Sequence, residues 1–152
     1  MDEIAQKLLE VDWQYGDKDP NALEILSGRI AETGKNLALI PYSSLVEDVE
    51  FVLPNLQEGR PHRIKTYDWT GLDRRIIGDF LGYISKESYL RAGFFASALV
   101  VGKSEFKPSS HFFEWMEALE VIPNMSEDSV AKFWIEHVNK AHNWYSRHPV
   151  GS

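Results

Sequence analysis

The chain lacks several features that would indicate a defined chemistry. None of its 152 residues is cysteine, which excludes disulfides, thiolate nucleophiles and cysteine-bound metals. It contains no G-x-x-x-x-G-K-[ST] or G-x-G-x-x-G phosphate loop, no G-x-S-x-G turn and no H-E-x-x-H motif. The sequence therefore predicts no catalytic residues and no cofactor.

Long hydrophobic runs are also absent. The longest uncharged apolar stretch, residues 94–101, is far too short to span a bilayer. The N-terminal residues are acidic and amphipathic, unlike a secretory signal peptide. We therefore expect a cytoplasmic protein that does not associate with membranes.

The composition is that of a folded domain, with 43% apolar and 26% charged residues. The net charge of −7 argues against a general nucleic-acid coat. Helix-start signals occur at Asp19-Pro20, Thr70 and Ser126, and a Ser44–Glu47 capping box predicts a helix that continues to Leu53. Apolar runs predict strands at 37–40, 63–69 and 94–101. The sequence thus predicts a single α+β domain over residues 1–152, with about six helices on a small sheet of about three strands.

The charge is unevenly distributed along the chain. Residues 1–59 contain twelve acids and four bases, whereas residues 60–110 contain five acids and nine bases. The bases concentrate in a basic segment, residues 60–75, which also contains Trp69. Either this segment contacts phosphate, or its bases pair internally with the acidic first third.

Two glycines stand out inside the helix that Thr70 begins. Gly78 and Gly82 are four residues apart, and each costs about 1 kcal/mol relative to alanine in a helix. Together with Arg75 they form one stripe beside the apolar face. This stripe either packs against a bulky neighbour within the chain or forms a docking groove for a partner helix or a phosphate backbone, with Arg74 and Arg75 at its rim.

Metal sites find little support. His137 and His142 are five residues apart, which separates them by about 140° around a helix, so we do not expect them to bind one metal ion. We expect His137 to be a hydrogen-bonded core residue. Glu105-Phe-Lys107 fits half of a metal-dependent nuclease site, for which Asp68 is the candidate second carboxylate. The alternative is that Glu105 and Lys107 belong to a surface loop.

Three stretches resemble a pattern found in small bacterial and phage proteins to which no activity is attached. They are Leu81-Gly-Tyr-Ile-Ser85, Ser97-Ala-Leu-Val-Val101, and Pro108 followed by Phe112-Phe113. The resemblance implies a shared scaffold of helix, apolar strand and loop, in a bacterial context, and implies no function. The loop here, Lys103-Ser-Glu-Phe-Lys107, lacks the glycines of that pattern.

We therefore expect a non-enzymatic, acidic protein-interaction module that acts as an accessory to, or inhibitor of, a larger protein partner. The alternatives are a nucleic-acid-associated protein that uses residues 60–75 and a metal-dependent nuclease-like enzyme. The sequence predicts no metal site and no oligomeric state. The predicted binding residues, for protein or phosphate, are Arg63, Lys65, Trp69, Arg74, Arg75, Gly78 and Gly82.

Overall fold

The computed structural model describes residues 2–54 and 56–148, which form six α-helices and a two-stranded parallel sheet. The helices are α1 (Glu3–Leu9), α2 (Pro20–Lys35), α3 (Tyr42–Val46), α4 (Gly71–Ala92), α5 (Ser110–Ala118) and α6 (Glu127–Arg147), and short 3-10 helices lie at Gln57–Gly59 and Ala96–Leu99. The strands are β1 (Ile40–Pro41) and β2 (Val100–Val101). The α+β class is confirmed, but this part of the chain has two very short strands rather than about three. None of the described helices is long and apolar enough to cross a bilayer.

Three of the helix starts predicted from local signals are confirmed. The Asp19 carboxylate caps α2 by accepting the Ala22 N–H, and the Ser126 hydroxyl caps α6 by accepting the Ser129 N–H. Thr70 begins α4 with a capping box: its hydroxyl accepts the Asp73 N–H, and the Asp73 carboxylate accepts the Thr70 N–H. Each of these three signals lies within four residues of the chain.

The predicted strand at 94–101 is wrong over most of its length. This segment is fully buried, but residues 96–99 form a 3-10 helix and only Val100 and Val101 pair as a strand. Side chains of neighbouring helices satisfy its backbone in place of a second strand. Ser88 Oγ donates to the Phe94 carbonyl and accepts the Ala96 N–H, and His137 Nδ1 accepts the Phe95 N–H.

Two other predicted strands are corrected. Leu37 is exposed and has a left-handed φ of 55°, so the strand begins only at Ile40. Residues 63–69 form no strand, and the nearest pairing is a single antiparallel bridge between Phe51 and His62. Of these two predicted strands, only the end of the first, at Ile40, pairs with another strand.

The predicted helix from Ser44 to Leu53 is also wrong. Helix α3 ends at Val46, and Glu47 is already extended. The chain beyond it is irregular, although Leu53 is buried. The Arg29 guanidinium explains the early stop, because it donates to the carbonyls of Leu45 and Glu47 at 2.9 and 2.8 Å. These carbonyls therefore have a side-chain partner at the helix end.

The core consists of two apolar clusters around the buried 94–101 segment. One cluster lies mainly between α2, α4 and the start of this segment, and the other lies between α5, α6 and Phe95. Helix α6 contributes to both, because Val138 packs against each of them. The exposed side of α4 is thereby left facing the segment that follows β2.

Candidate functional site

A large cleft lies between α4 and the segment that runs from the end of β2 into α5. Its volume is about 1250 Å³, above the range of roughly 300–1,000 Å³ that is usual for small-molecule pockets. We call it the α4–α5 cleft. Five of the seven predicted binding residues line it, namely Trp69, Arg74, Arg75, Gly78 and Gly82.

The two glycines on the α4 wall have different surroundings. A β-carbon at Gly82 would lie 2.8 Å from Cζ3 of Trp13, so Gly82 makes room for that indole. Trp13 also meets Trp115 edge to face, with ring centroids 6.5 Å apart. At Gly78, by contrast, the described residues place no atom within 4 Å of a β-carbon position, apart from the adjoining backbone of α4. Gly82 therefore packs against a bulky neighbour within the chain, whereas Gly78 leaves the backbone of α4 open to the cleft.

The opposite wall is a tight turn, residues 102–107. The Gly102 N–H donates to the Lys107 carbonyl and the Phe106 N–H donates to the Gly102 carbonyl, each at 2.9 Å. The Glu105 carboxylate folds back over Gly102, where it occupies the space of a β-carbon. This closed turn places Lys103 and Lys107 in the lining of the cleft, across from α4.

Four cations line the cleft: Arg74, Arg75, Lys103 and Lys107. All four are exposed, and no carboxylate of the described residues lies within 4.0 Å of any of them. Positive charge without internal partners is therefore available to an incoming ligand, in a chain whose net charge is −7.

The cleft contains one further carboxylate, Asp79, which is already engaged. Its Oδ2 accepts the N–H groups of Tyr15 and Gly16, each at 2.7 Å. These bonds hold the N-terminal segment against α4 and bring Trp13 into the cleft. Asp79 consequently acts as an anchor for the backbone rather than as a free charge.

Among the described residues, the two most exposed aromatic rings adjoin lining residues in the sequence, although neither is itself part of the cleft lining. Tyr67 is 84% exposed and lies between Thr66 and Trp69, which line the cleft. Phe106 is 67% exposed on the opposite turn, with a left-handed φ of 56°. Exposed aromatic rings adjoining the lining of a basic cleft are typical of an interaction surface.

The remaining two predicted residues lie outside the cleft lining. Arg63 Nη2 bonds Glu50 Oε1 at 2.7 Å, and Asp48 lies 4.0 Å from the same guanidinium. For Arg63 the structure thus favours internal pairing with the acidic first third. Lys65 is exposed and has no carboxylate within 4.0 Å among the described residues.

A histidine–carboxylate pair fixes the start of α4. His62 Nε2 lies 2.7 Å from Asp73 Oδ1, and the other oxygen of Asp73 accepts the Thr70 N–H. Burial raises the pKa of the Asp73 carboxyl, but hydrogen bonds from Thr70 and His62 outweigh burial and hold this pKa below its ordinary value. Because Arg74 and Arg75 directly follow, this pair positions two of the four cations.

No relative of known function emerges from comparison. No family model, curated protein or solved structure matches the chain. The side chains that line the α4–α5 cleft are therefore the basis for inferring which ligands it binds.

The nuclease alternative, which pairs Glu105 with Asp68, stays a prediction. Residues 2–54 and 56–148 contain no group of three His, Asp or Glu side chains placed to hold a metal ion. Glu105 and Lys107 lie on the 102–107 turn, as the surface-loop alternative expects. His137 is buried and accepts a backbone hydrogen bond, which confirms its interpretation as a core residue.

Sequence reasoning missed the second basic wall. The sequence predicted a role for Lys107 only together with Glu105, in a nuclease site. It predicted no role for Lys103. Both lysines are 28 or more residues after Arg75, so charge density along the chain did not connect them. The available signal was their position directly after a buried apolar segment, where a chain returns to the surface beside the helix that packs on it.

Proposed function

We propose that this protein is a non-enzymatic protein-interaction module and that the α4–α5 cleft is its docking site. The observation that carries the proposal is the combination, in the lining of one cleft, of four cations that pair with no carboxylate of the described residues and of the rings of Trp13, Trp69 and Trp115. Protein interfaces are enriched in arginine and aromatic residues in this way. The volume of the cleft suits a polypeptide segment better than a small molecule.

The strongly buried ionisable groups support binding rather than catalysis. Asp73 is engaged in the cap of α4, and His137 accepts a backbone hydrogen bond from Phe95 inside the core. A general acid or base has to reach a substrate with the proton it transfers. The cleft itself presents two arginines and two lysines, which suit recognition of negative charge.

Site-directed photo-crosslinking tests this proposal. We would place p-benzoylphenylalanine at Gly78, where open space surrounds the β-carbon position, and expose the protein to extract of its host. The matched control carries the same residue at Gly28, a second helical glycine with no atom within 4 Å of its β-carbon position. We expect a discrete protein adduct from position 78 that is absent from position 28 and is lost with R74E/R75E.

Two results would contradict the proposal. Identical adducts from positions 78 and 28 would mean that the cleft has no docking preference. An adduct with nucleic acid rather than protein would favour the alternative in which the basic segment binds phosphate, for which Lys65, Arg74 and Arg75 are available cations.

A further inference from the structure

Resting on the proposed function, we infer that the ligand of the α4–α5 cleft is a short acidic segment of the partner protein, with an apolar side chain between its carboxylates. The cleft carries positive charge on both of its walls. Arg74 and Arg75 lie on one wall, and Lys103 and Lys107 lie on the turn that forms the other. A segment that lies between these walls meets cations on both of its sides.

The cleft's own carboxylates compete weakly for these cations. Asp79 accepts two backbone N–H groups, and Glu105 is folded back onto Gly102. Because neither pairs with a cation of the cleft, carboxylates from another chain are the complementary groups. A polar or neutral segment would leave four positive charges without partners in the complex.

The apolar side chain of the inferred ligand matches the apolar residues that line the cleft. Leu81, Ile77 and the half-buried rings of Trp13 and Trp115 contribute to its lining. Gly78 adds an open position on α4, with no side chain in the way. A residue such as leucine or phenylalanine on the incoming segment therefore has apolar surface to cover, between the two pairs of cations.

The distribution of charge favours a short peptide over a nucleic-acid strand. Arg63, which would extend the basic surface beyond the cleft, is neutralised by Glu50 and Asp48. The chain as a whole carries a net charge of −7. Lys65 remains exposed outside the cleft lining. A long polyanion would nevertheless have to follow a molecule of net negative charge, whereas an acidic segment of a few residues needs only the four cations of the cleft.

Fluorescence anisotropy with defined probes tests the inference. The first probe is a fluorescein-labelled twelve-residue peptide in which glutamate alternates with leucine and phenylalanine. The second replaces every glutamate with glutamine, and the third is a labelled dT12 oligonucleotide. At 50 mM salt we expect the glutamate peptide to bind at least about tenfold more tightly than either other probe, with an affinity that falls at 500 mM salt because the ions screen the charges.

Three variants locate the binding. R74Q/R75Q and K103Q/K107Q should each weaken binding of the glutamate peptide about fivefold or more, and R63Q, outside the cleft, should stay within twofold. Circular dichroism verifies that the variants fold. Equal affinity for the glutamate and glutamine peptides, or tighter binding of dT12, would overturn the inference. If crosslinking at Gly78 still captures a protein, only the acidic ligand is refuted, whereas absence of both peptide binding and a specific adduct refutes the docking site itself.

Discussion

At the scale of single residues, we expect alanine to have opposite effects on stability at Gly78 and Gly82, which lie one helical turn apart on α4. Alanine is the better helix former by about 1 kcal/mol at an unconstrained position. Gly78 is unconstrained, because nothing lies within 4 Å of its β-carbon position. We therefore expect Gly78→Ala to raise the free energy of unfolding by about 0.5–1 kcal/mol in urea titrations.

Gly82→Ala should act in the opposite direction. Its β-carbon would lie 2.8 Å from the Trp13 ring, which is itself held between Tyr83 and Trp115. Forcing a methyl group into such a contact costs about 1–3 kcal/mol, more than the helix propensity returns. Gly28→Ala on α2 is a second unconstrained control. A stabilising Gly82→Ala would mean that Trp13 does not pack there.

The buried His137 predicts a pH-dependent stability. Burial, and secondarily the charge of Lys140, lowers the pKa of this imidazole from 6.5 to about 4. The Glu136 carboxylate lies 3.6 Å from Nε2, but its side chain is 59% exposed, so solvent screens that attraction. Between pH 6.5 and 4 the unfolded chain binds a proton that the folded chain does not. The free energy of unfolding should consequently fall as the pH drops through this window, by about 3 kcal/mol from this group alone.

His137→Asn isolates that contribution, because an amide oxygen still accepts the Phe95 N–H but does not titrate. We would measure urea unfolding of both proteins from pH 7 to pH 4. Carboxylate titration is common to the two, so the difference between them should shrink or reverse as the pH falls. A constant difference across this range would show that the imidazole titrates alike in both states.

At the scale of elements, the buried 94–101 segment depends on side chains for its backbone partners. Ser88 Oγ donates to the Phe94 carbonyl at 2.7 Å and accepts the Ala96 N–H at 3.0 Å. Ser88→Ala leaves both buried groups unpaired and should lower the free energy of unfolding by about 1–3 kcal/mol. Ser146→Ala is the matched control, since this exposed hydroxyl bonds a carbonyl of its own helix, and we expect a change within about 0.5 kcal/mol. Equal effects of the two substitutions in urea titrations would contradict this role of Ser88.

The same segment shows how far elements follow from sequence. Caps such as Thr70 with Asp73 were predictable, because both halves of the motif lie within four residues. The apolar run of residues 94–101 predicted burial correctly and conformation incorrectly. Its backbone partners include His137, 42 residues away, and apolar pattern alone does not distinguish a buried strand from a buried 3-10 helix with side-chain partners.

At the scale of the whole molecule, the cleft was predictable in one wall only. Arg74, Arg75 and the glycine pair share one helix, so their stripe can be derived from helical spacing. The opposite turn reaches them only because the 94–101 segment runs through the core and returns to the surface beside α4. That path depends on the packing of the 3-10 helix at Ala96–Leu99 against both α4 and α6, which no local pattern encodes.

The N-terminal segment couples to α4 through Asp79, which leads to a last prediction. Asp79→Ala removes the acceptor for the N–H groups of Tyr15 and Gly16, so these amides should exchange with deuterium faster and the free energy of unfolding should fall by about 1–3 kcal/mol. Asp17→Ala, at the surface beside Lys18, is the control and should leave both amides protected. Releasing the segment also loosens Trp13, so Gly82→Ala should cost at least about 0.5 kcal/mol less in the Asp79→Ala background than alone. Strict additivity of the two substitutions would mean that Trp13 holds its place against Gly82 without the Asp79 anchor, and the N-terminal wall of the cleft would then depend on ring packing instead.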